Sequence, residues 1–461
     1  MFVGLGFHVL MKTWVQEFRK TAVLAFPIVL SQVSQHLVQV IDAAMIGRVG
    51  VVPLAASAFA AGIFTVPLVF CFGITITTSV LTSSAFGSGD LRRANHVLRV
   101  GLMLSTIIGL VFASGLDLAK EGLQYFGQSE DVLLEAKPYF SLLVWSIVPV
   151  LIFSCFKNYS EAMNRPWMPL KIVLLMLVSN AFLNWVFIFG KLGFPAMGLI
   201  GAGWGTLLSR TLSAVVIICI VGCGKHWSFR LRTLDWFHIR KKDVTEYLSI
   251  GLPSAFQIIF EVSAFVIAAI MMGWISEVTL AAHQIAINVA GATFMVALGI
   301  SFATSVRIGQ YFGQKNYHAL RRAGFVGWII NAVFMSSCMV GILIFRHVIP
   351  TWFVDEDSVL AMASQLLIVA AFFQVFDGVQ IAMMSSLRGM QDVKVPTILV
   401  MLVYYGVCLP LAHYLGFTVG WNGMGIWIGL AVGLGLSATG LSIRFSLKSG
   451  HLLAIAEQKA D

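Results

Sequence analysis

Charge is what this 461-residue chain has least of: Asp, Glu, Lys and Arg supply 11% of it, while hydrophobic residues supply 58%. A soluble domain runs at about 25% charged and roughly 45–50% apolar, so these proportions exclude an ordinary soluble protein. The apolar runs do not alternate with polar residues, which excludes a transmembrane β-barrel. Cysteine is scarce too. Cys71, Cys155, Cys219, Cys223, Cys338 and Cys408 all lie in or at the ends of apolar segments. They form neither a secreted disulfide framework nor a metal-type pair with histidine. Cys219 and Cys223, four apart in "CIVGC", read as helix packing. There is no GxxxxGK[ST] loop for direct ATP drive, no HExxH and no paired CxxC. Without a catalytic constellation the chain is not expected to be an enzyme or to need a cofactor. The opening "MFVGLGFHVLMKTW" has no basic region before its apolar stretch and makes a poor secretory signal. "MKTWVQEFRK" reads as a basic amphipathic lead-in, which makes Met11 a second candidate start beside Met1.

What the chain does have is long apolar runs. "PSAFQIIFEVSAFVIAAIMMG" (253–273) is long enough to cross a hydrocarbon core about 30 Å thick, which takes roughly 20 helical residues. Twelve such segments lie near 21–46, 55–84, 97–117, 136–156, 168–190, 199–222, 246–274, 280–306, 323–346, 359–386, 395–415 and 424–445. The expected fold class is therefore an all-α polytopic membrane protein with 12 transmembrane helices. "GLGLSATG" (433–440) falls inside the last of these, with no strand before it, and reads as close helix packing through small residues.

The net charge is +9 and the pI about 9.3. The basic residues sit in short loops, so topology accounts for them better than nucleic-acid binding does. With the loops assigned alternately to two sides, 24 Lys and Arg fall on the side that holds both ends and 5 on the other, with Arg210 inside a segment. The positive-inside rule then makes both termini cytoplasmic. The segments divide into a lead-in (1–20), an N-lobe (21–222), a basic cytoplasmic linker touching anionic lipid (223–245), a C-lobe (246–445) and a cytoplasmic tail (446–461).

The two lobes repeat one another. An offset of 226 sets Pro27 on Pro253, Gly47 on Gly273, "LAA" 54–56 on 280–282, Gly73 on Gly299, Ser79 on Ser305 and Gly87 on Gly313. "RRA" recurs at 92–94 and 321–323, which this register explains only with three residues inserted. "NRPWMP" (164–169) roughly parallels "RGMQDVKVP" (388–396). Parallel six-helix repeats related by an axis along the membrane normal mark secondary transporters, with binding between the halves near the midplane.

Three of the 21 acidic residues lie well inside apolar segments: Asp42, Glu261 and Asp377. A carboxylate in hydrocarbon costs several kcal/mol, so each is expected to face the bundle interior or a water-filled cavity. Held out of water, such a group exchanges protons more readily near neutral pH. It can also attract a sodium ion or an organic cation, and competition between ion and cation is the simplest form of antiport. The plainer alternative is a structural polar contact, with Gln257 or Gln380 as partner. Gln35 occupies the place of Glu261 in the first repeat, and Ala268 that of Asp42 in the second, so the halves have diverged in their polar residues. Asn180 and Asn184 share a helix face, with Asp42 as a plausible partner and helix–helix adhesion as the alternative.

The stretches "PIVLSQVSQHLVQVIDAAMIGRVG", "LNWVFIFGKLG", "LPSAFQIIFEVSAF", "AAHQIAINV", "RIGQYFG", "FDGVQ" and "SSLRGMQD" resemble the multidrug and toxic compound extrusion (MATE) family, in particular its NorM-like branch. The resemblance covers both halves. It implies two pseudo-symmetric six-helix lobes in a V-shaped MATE-type fold, and a monomer in the bacterial inner membrane. It also implies export of cationic amphipathic drugs and dyes against an inward flow of protons or sodium ions. It makes Glu261 and Asp377 the C-lobe acids and candidate sodium ligands, and Asp42 the N-lobe acid, with Tyr139, Asn180, Asn184 and Thr206 gathered around it. Two positions depart from the pattern. Phe373 stands where some NorM-like members have a tyrosine at the cation site, and Asn184 stands where a proton-coupled branch has an aspartate.

A flippase for lipid-linked saccharides, from the same wider superfamily, would need a strongly cationic cavity. In the sequence only Arg210 lies deep in a segment, against three acids. A channel or scaffold would not explain midplane acids in a repeat.

Overall fold

The computed structural model describes residues 2–223 and 239–458, with backbone alone at 2–12 and at Cys223. Met1, most of the linker expected at 223–245 and the last three residues of the tail lie outside it. Among the described residues there is no strand, and twelve helices are long and apolar enough to cross a membrane. They are α1 (Thr13–Gly47), α2 (Val51–Gly87), α3 (Leu91–Phe126), α4 (Glu130–Ala162), α5 (Trp167–Phe189), α6 (Gly198–Gly222), α7 (Lys241–Ile275), α8 (Glu277–Gly313), α9 (Tyr317–Phe345), α10 (Asp357–Gly389), α11 (Lys394–Thr418) and α12 (Asn422–Glu457).

Most helices overrun the apolar segments. At 1.5 Å per residue the 37 residues of α2 or α8 extend roughly 55 Å, well beyond a hydrocarbon core of about 30 Å. Hydropathy marks only the part in hydrocarbon. The polar ends continue as helix because backbone hydrogen bonding does not stop at the interface. The lead-in is thus helical from Phe2, and the expected tail is mostly the last turns of α12. Many large apolar side chains point outward: Val111, Val178, Ile344 and Leu447 are each 65% exposed or more. On a soluble surface that would be a liability; against lipid it is the stable arrangement.

The repeat is visible in the backbone. Asp90 caps α3 by accepting from the Arg93 amide at 2.9 Å, and Asn316, 226 residues on, caps α9 from the Ala319 amide at 3.1 Å. The preceding turns carry left-handed residues at matching places, Gly89 and Lys315, and later turns do so at Asn164 and Gln391, one residue out of that register. Gly101 against Thr78 is matched by Gly327 against Thr304. The 226 offset therefore runs without a gap through α3 and α9. This corrects the expected match of the two "RRA" runs with an insertion: Arg321 and Arg322 stand where the first half has Asn95 and His96.

The compact units of the chain follow the lobes expected at 21–222 and 246–445 except at the first turns of α1 and α7. The chain divides into two compact units that change over at Val29/Leu30 and at Ala255/Phe256. One unit joins the chain up to Val29 with everything from Phe256, and the other runs from Leu30 to Ala255. The changeovers are equivalent in the repeat, each two residues after Pro27 or Pro253. A proline inside a helix removes one backbone hydrogen bond, so both helices change unit where their own ladder is weakened. In the first unit Leu24, Ala25 and Ile28 are buried against Ile300, Ala303 and Val306 of α8. In the second, Tyr247 of α7 is buried and shares a 2.7 Å hydrogen bond with Thr78 of α2. Glycine makes both approaches possible. A Cβ on Gly299 would run into the backbone of Val29, and one on Gly73 into that of Ala255.

Candidate functional site

In the unit that begins at Leu30, Asp42 of α1 is half-buried and accepts a 2.5 Å hydrogen bond from Asn184 Nδ2 of α5. The same amide group lies 3.4 Å from Asn180 Oδ1, one turn away. Both asparagines are fully buried. Gly205 of α6 lets them take this position, since a Cβ there would strike Asn184 Oδ1. Thr206 and Tyr139 are buried beside them, and Arg210 is the positive charge facing Asp42. Arg210 Nη1 donates to Ser146 Oγ at 2.6 Å, and its guanidinium lies 5.7 Å over the Phe64 ring. The Thr206 hydroxyl, Asn180 Nδ2 and Asn184 Oδ1 are buried with no hydrogen-bond partner among the described residues. Leaving such groups unpaired costs about 1–3 kcal/mol each; Asn184 Oδ1 and the Thr206 oxygen can accept from a donor or meet a small cation, whereas Asn180 Nδ2 can only donate. The structure brings Asp42, Asn180, Asn184, Thr206 and Tyr139 together. Gln35 is not among them: its amide donates to Ser31 O at 3.1 Å and Gln32 Oε1 at 3.2 Å on its own helix.

In the other unit Glu261 of α7 and Asp377 of α10 are buried and line one cavity of about 410 Å³, together with Phe265, Phe294, Phe373 and His283. Gln380 Nε2 donates to Glu261 Oε1 at 3.0 Å and lies 3.1 Å from the Tyr404 hydroxyl. Tyr404 opens a widened π turn in α11, and its neighbour Tyr405 meets Ser263 at 2.5 Å. Such turns are frequent at functional sites. Phe373 stands edge-on to Phe265 at 5.9 Å and to Trp427 at 5.4 Å, so at this position the cavity wall is a ring rather than a hydroxyl. His283 is buried, its Nδ1 without a hydrogen-bond partner among the described residues and its ring 5.7 Å from Trp427. Two carboxylates in one low-dielectric cavity repel each other strongly, and a proton or a cation relieves that repulsion.

Gln257 does not pair with Glu261. It accepts from Arg388 Nη2 at 3.2 Å. Arg388, counted with the loops in the sequence, is 3% exposed inside α10. Lys157, counted the same way, is buried in α4 and donates to Gln32 Oε1 at 2.7 Å, with Glu161 buried one turn on. The Arg388 signal was present in the spacing: 373, 377, 380, 384 and 388 form one stripe along α10. The pairing of Gln380 with Tyr404 had no such signal, because it joins separate helices. Cys155 holds a packing position, with Ser105 Oγ at 3.0 Å.

Fold and sites define a membrane transporter, not an enzyme. A family model described as MatE matches twice, at residues 27–186 and 253–413, so its two copies begin at Pro27 and Pro253. A probable multidrug resistance protein NorM of Mesorhizobium japonicum is 36% identical over 443 residues, covering 94% of each chain. One of the same description from Bradyrhizobium diazoefficiens is 34% identical over 446 residues and 95% of each chain. The chain belongs to the MatE family. Two solved structures share the fold. A multidrug resistance MATE family transporter in an outward-facing conformation has a TM-score of 0.87 at 19% identity, over 95% of this chain and 97% of that one. A transporter of the MOP superfamily from Pyrococcus furiosus has a TM-score of 0.86 at 19% identity, over 95% and 96%.

Proposed function

We propose that the chain is a multidrug efflux antiporter of a bacterial inner membrane, exporting cationic amphipathic compounds in exchange for protons or sodium ions. The observation that carries this reading is the pair Glu261 and Asp377 in one aromatic-walled cavity between membrane-spanning helices. Flat rings favour organic cations, and the carboxylates supply the charge for which ion and substrate compete. The relatives named as multidrug resistance proteins support the same reading. Sodium would find the oxygens of Glu261, Asp377 and Tyr404 but only a ring at Phe373, so this donor set favours a proton or the organic cation over a closed sodium cage. A saccharide–diphosphate flippase is disfavoured. The buried cations Lys157, Arg210 and Arg388 each have a carboxylate as charge partner, Glu161, Asp42 and Glu261 respectively, so none is an uncompensated positive charge waiting for a diphosphate.

The test uses purified protein in liposomes, a fluorescent cationic dye, and either a pH or a sodium gradient. Dye is expected to move under at least one gradient and to fall to background in Asp42→Asn, Glu261→Gln or Asp377→Asn. A pH-driven signal lost in Asp42→Asn assigns coupling to the Asp42 site. A sodium-driven signal lost in Glu261→Gln assigns it to the cavity. Movement under neither gradient overturns antiport.

A further inference from the structure

A second cavity of about 740 Å³ lies at the end of the bundle where α1 and α9 begin and α12 finishes. Trp14 of α1, His318, Arg321 and Arg322 of α9, and Leu453 and Glu457 of α12 line it. These helix ends lie on one membrane surface, because odd spans start and even spans end on the same side. The cavity is basic. Neither Arg321 nor Arg322 makes an ion pair among the described residues. Arg321 rests 5.8 Å over the Phe325 ring, and Arg322 Nε is buried without a hydrogen-bond partner. Among the described residues the only carboxylate lining it, Glu457, reaches His318 at 3.8 Å with both side chains largely exposed.

The other half of the repeat shows how unusual this is. There the basic start of α3 is neutralised by α7: Arg93 pairs with Glu246 at 2.6 Å and His96 with Asp243 at 3.0 Å. Arg322 stands where His96 does, and the residue equivalent to Asp243 is Glu17. But Glu17 is taken, bound by Arg307 at 2.6 Å and by the Tyr311 hydroxyl at 2.7 Å. At the place of Glu246 stands Lys20. The second half therefore keeps two arginines over a cavity, with no carboxylate in ion-pair contact with either among the described residues.

We propose that this cavity binds the phosphate headgroup of an anionic phospholipid, held by Arg321 and Arg322 with Trp14 at the interface. Arginine matches phosphate oxygens with its forked donors. Basic pockets between membrane helices recognise such headgroups, and tryptophan is enriched at headgroup depth. Glu457 is the internal competitor for the same cations. The proposal requires only that this end of the helices lies at a membrane surface, so it does not depend on the direction or ion of transport.

The experiment is native mass spectrometry of the full chain in detergent, offered phosphatidylglycerol, phosphatidylcholine, or millimolar inorganic phosphate. Wild type is expected to retain phosphatidylglycerol over phosphatidylcholine. The double change Arg321→Ala/Arg322→Ala should weaken that retention roughly tenfold or more, since two basic contacts are lost. Glu457→Gln should strengthen it severalfold, and gives the answer if the double variant fails to fold. Equal retention of both lipids, or no response to either change, overturns the proposal. Displacement of phosphatidylglycerol by inorganic phosphate overturns it in favour of a free-anion site. Dye transport is not the readout, so failure of the antiport reading leaves this result intact.

Discussion

At the scale of single residues, the Asp42 site depends on a side chain that is absent. Gly205 leaves the space that the Asn184 amide fills, and the amide then reaches Asp42. Gly205→Ala should cost roughly 1–3 kcal/mol through overpacking. Asn184→Ala should cost about 1–3 kcal/mol by leaving buried polar groups unpaired. The two changes share one cause, so Gly205→Ala should be nearly free in the Asn184→Ala background. Thermal unfolding of the four proteins in detergent measures this, and strict additivity would show that Gly205 and Asn184 do not interact. Buried charge follows the same rule of committed partners. Arg388 and Lys157 each have a glutamine on the first helix of their repeat as hydrogen-bond partner, Gln257 and Gln32, and a buried carboxylate as charge partner, Glu261 and Glu161, the pairing a charge needs inside helices that cross hydrocarbon.

At the scale of elements, the feature that organises the fold is the reciprocal placement of the first turns of α1 and α7. Each lies in the unit that does not hold the rest of its helix. A Cβ would meet the backbone of Val29 at Gly299 and of Ala255 at Gly73, whereas Gly62, on the same helix as Gly73, has nothing within 4 Å. Gly73→Ala and Gly299→Ala should each destabilise by roughly 1–3 kcal/mol, while Gly62→Ala should be neutral or stabilising by up to about 1 kcal/mol. Equal melting temperatures for all three would remove the close approach from the account. The sequence made the repeat legible through Pro27 and Pro253, Gly73 and Gly299, and the shared offset. It did not reveal the changeover at Val29/Leu30. Hydropathy reports that a segment meets hydrocarbon or protein, not which protein neighbour it meets, and the residues flanking Pro27, 22–26 and 28–30, are apolar on both sides. The shift of the two "RRA" runs has a similar origin, because matching letters on an amphipathic helix carry less register than a cap fixed by Asp90 or Asn316.

At the scale of the whole molecule, contrast determined what could be read. Asp42, Glu261 and Asp377 stand out because their neighbours in sequence are apolar, and the structure places each of them beside polar side chains from other helices. Arg388 and Lys157 do not stand out in the sequence because each lies near the end of its run, where a charge looks like loop. Being buried, they also contribute nothing to the charge that orients the chain. Without them the Lys and Arg asymmetry falls from 24 against 5 to 22 against 5, still far from balanced. The positive-inside rule counts residues near the membrane ends of short loops, and 22 against 5 leaves the orientation unchanged. A fluorescent protein fused after the tail should therefore mature and fluoresce, while alkaline phosphatase at the same point should be inactive. A cysteine introduced at Arg48, in the turn between α1 and α2, should react with a membrane-impermeant maleimide added to intact cells, and one at Lys315 should not. Active phosphatase at the tail with labelling only at 315 would reverse the orientation. The cavity of Arg321 and Arg322 would then face the opposite leaflet, with its chemistry unaltered.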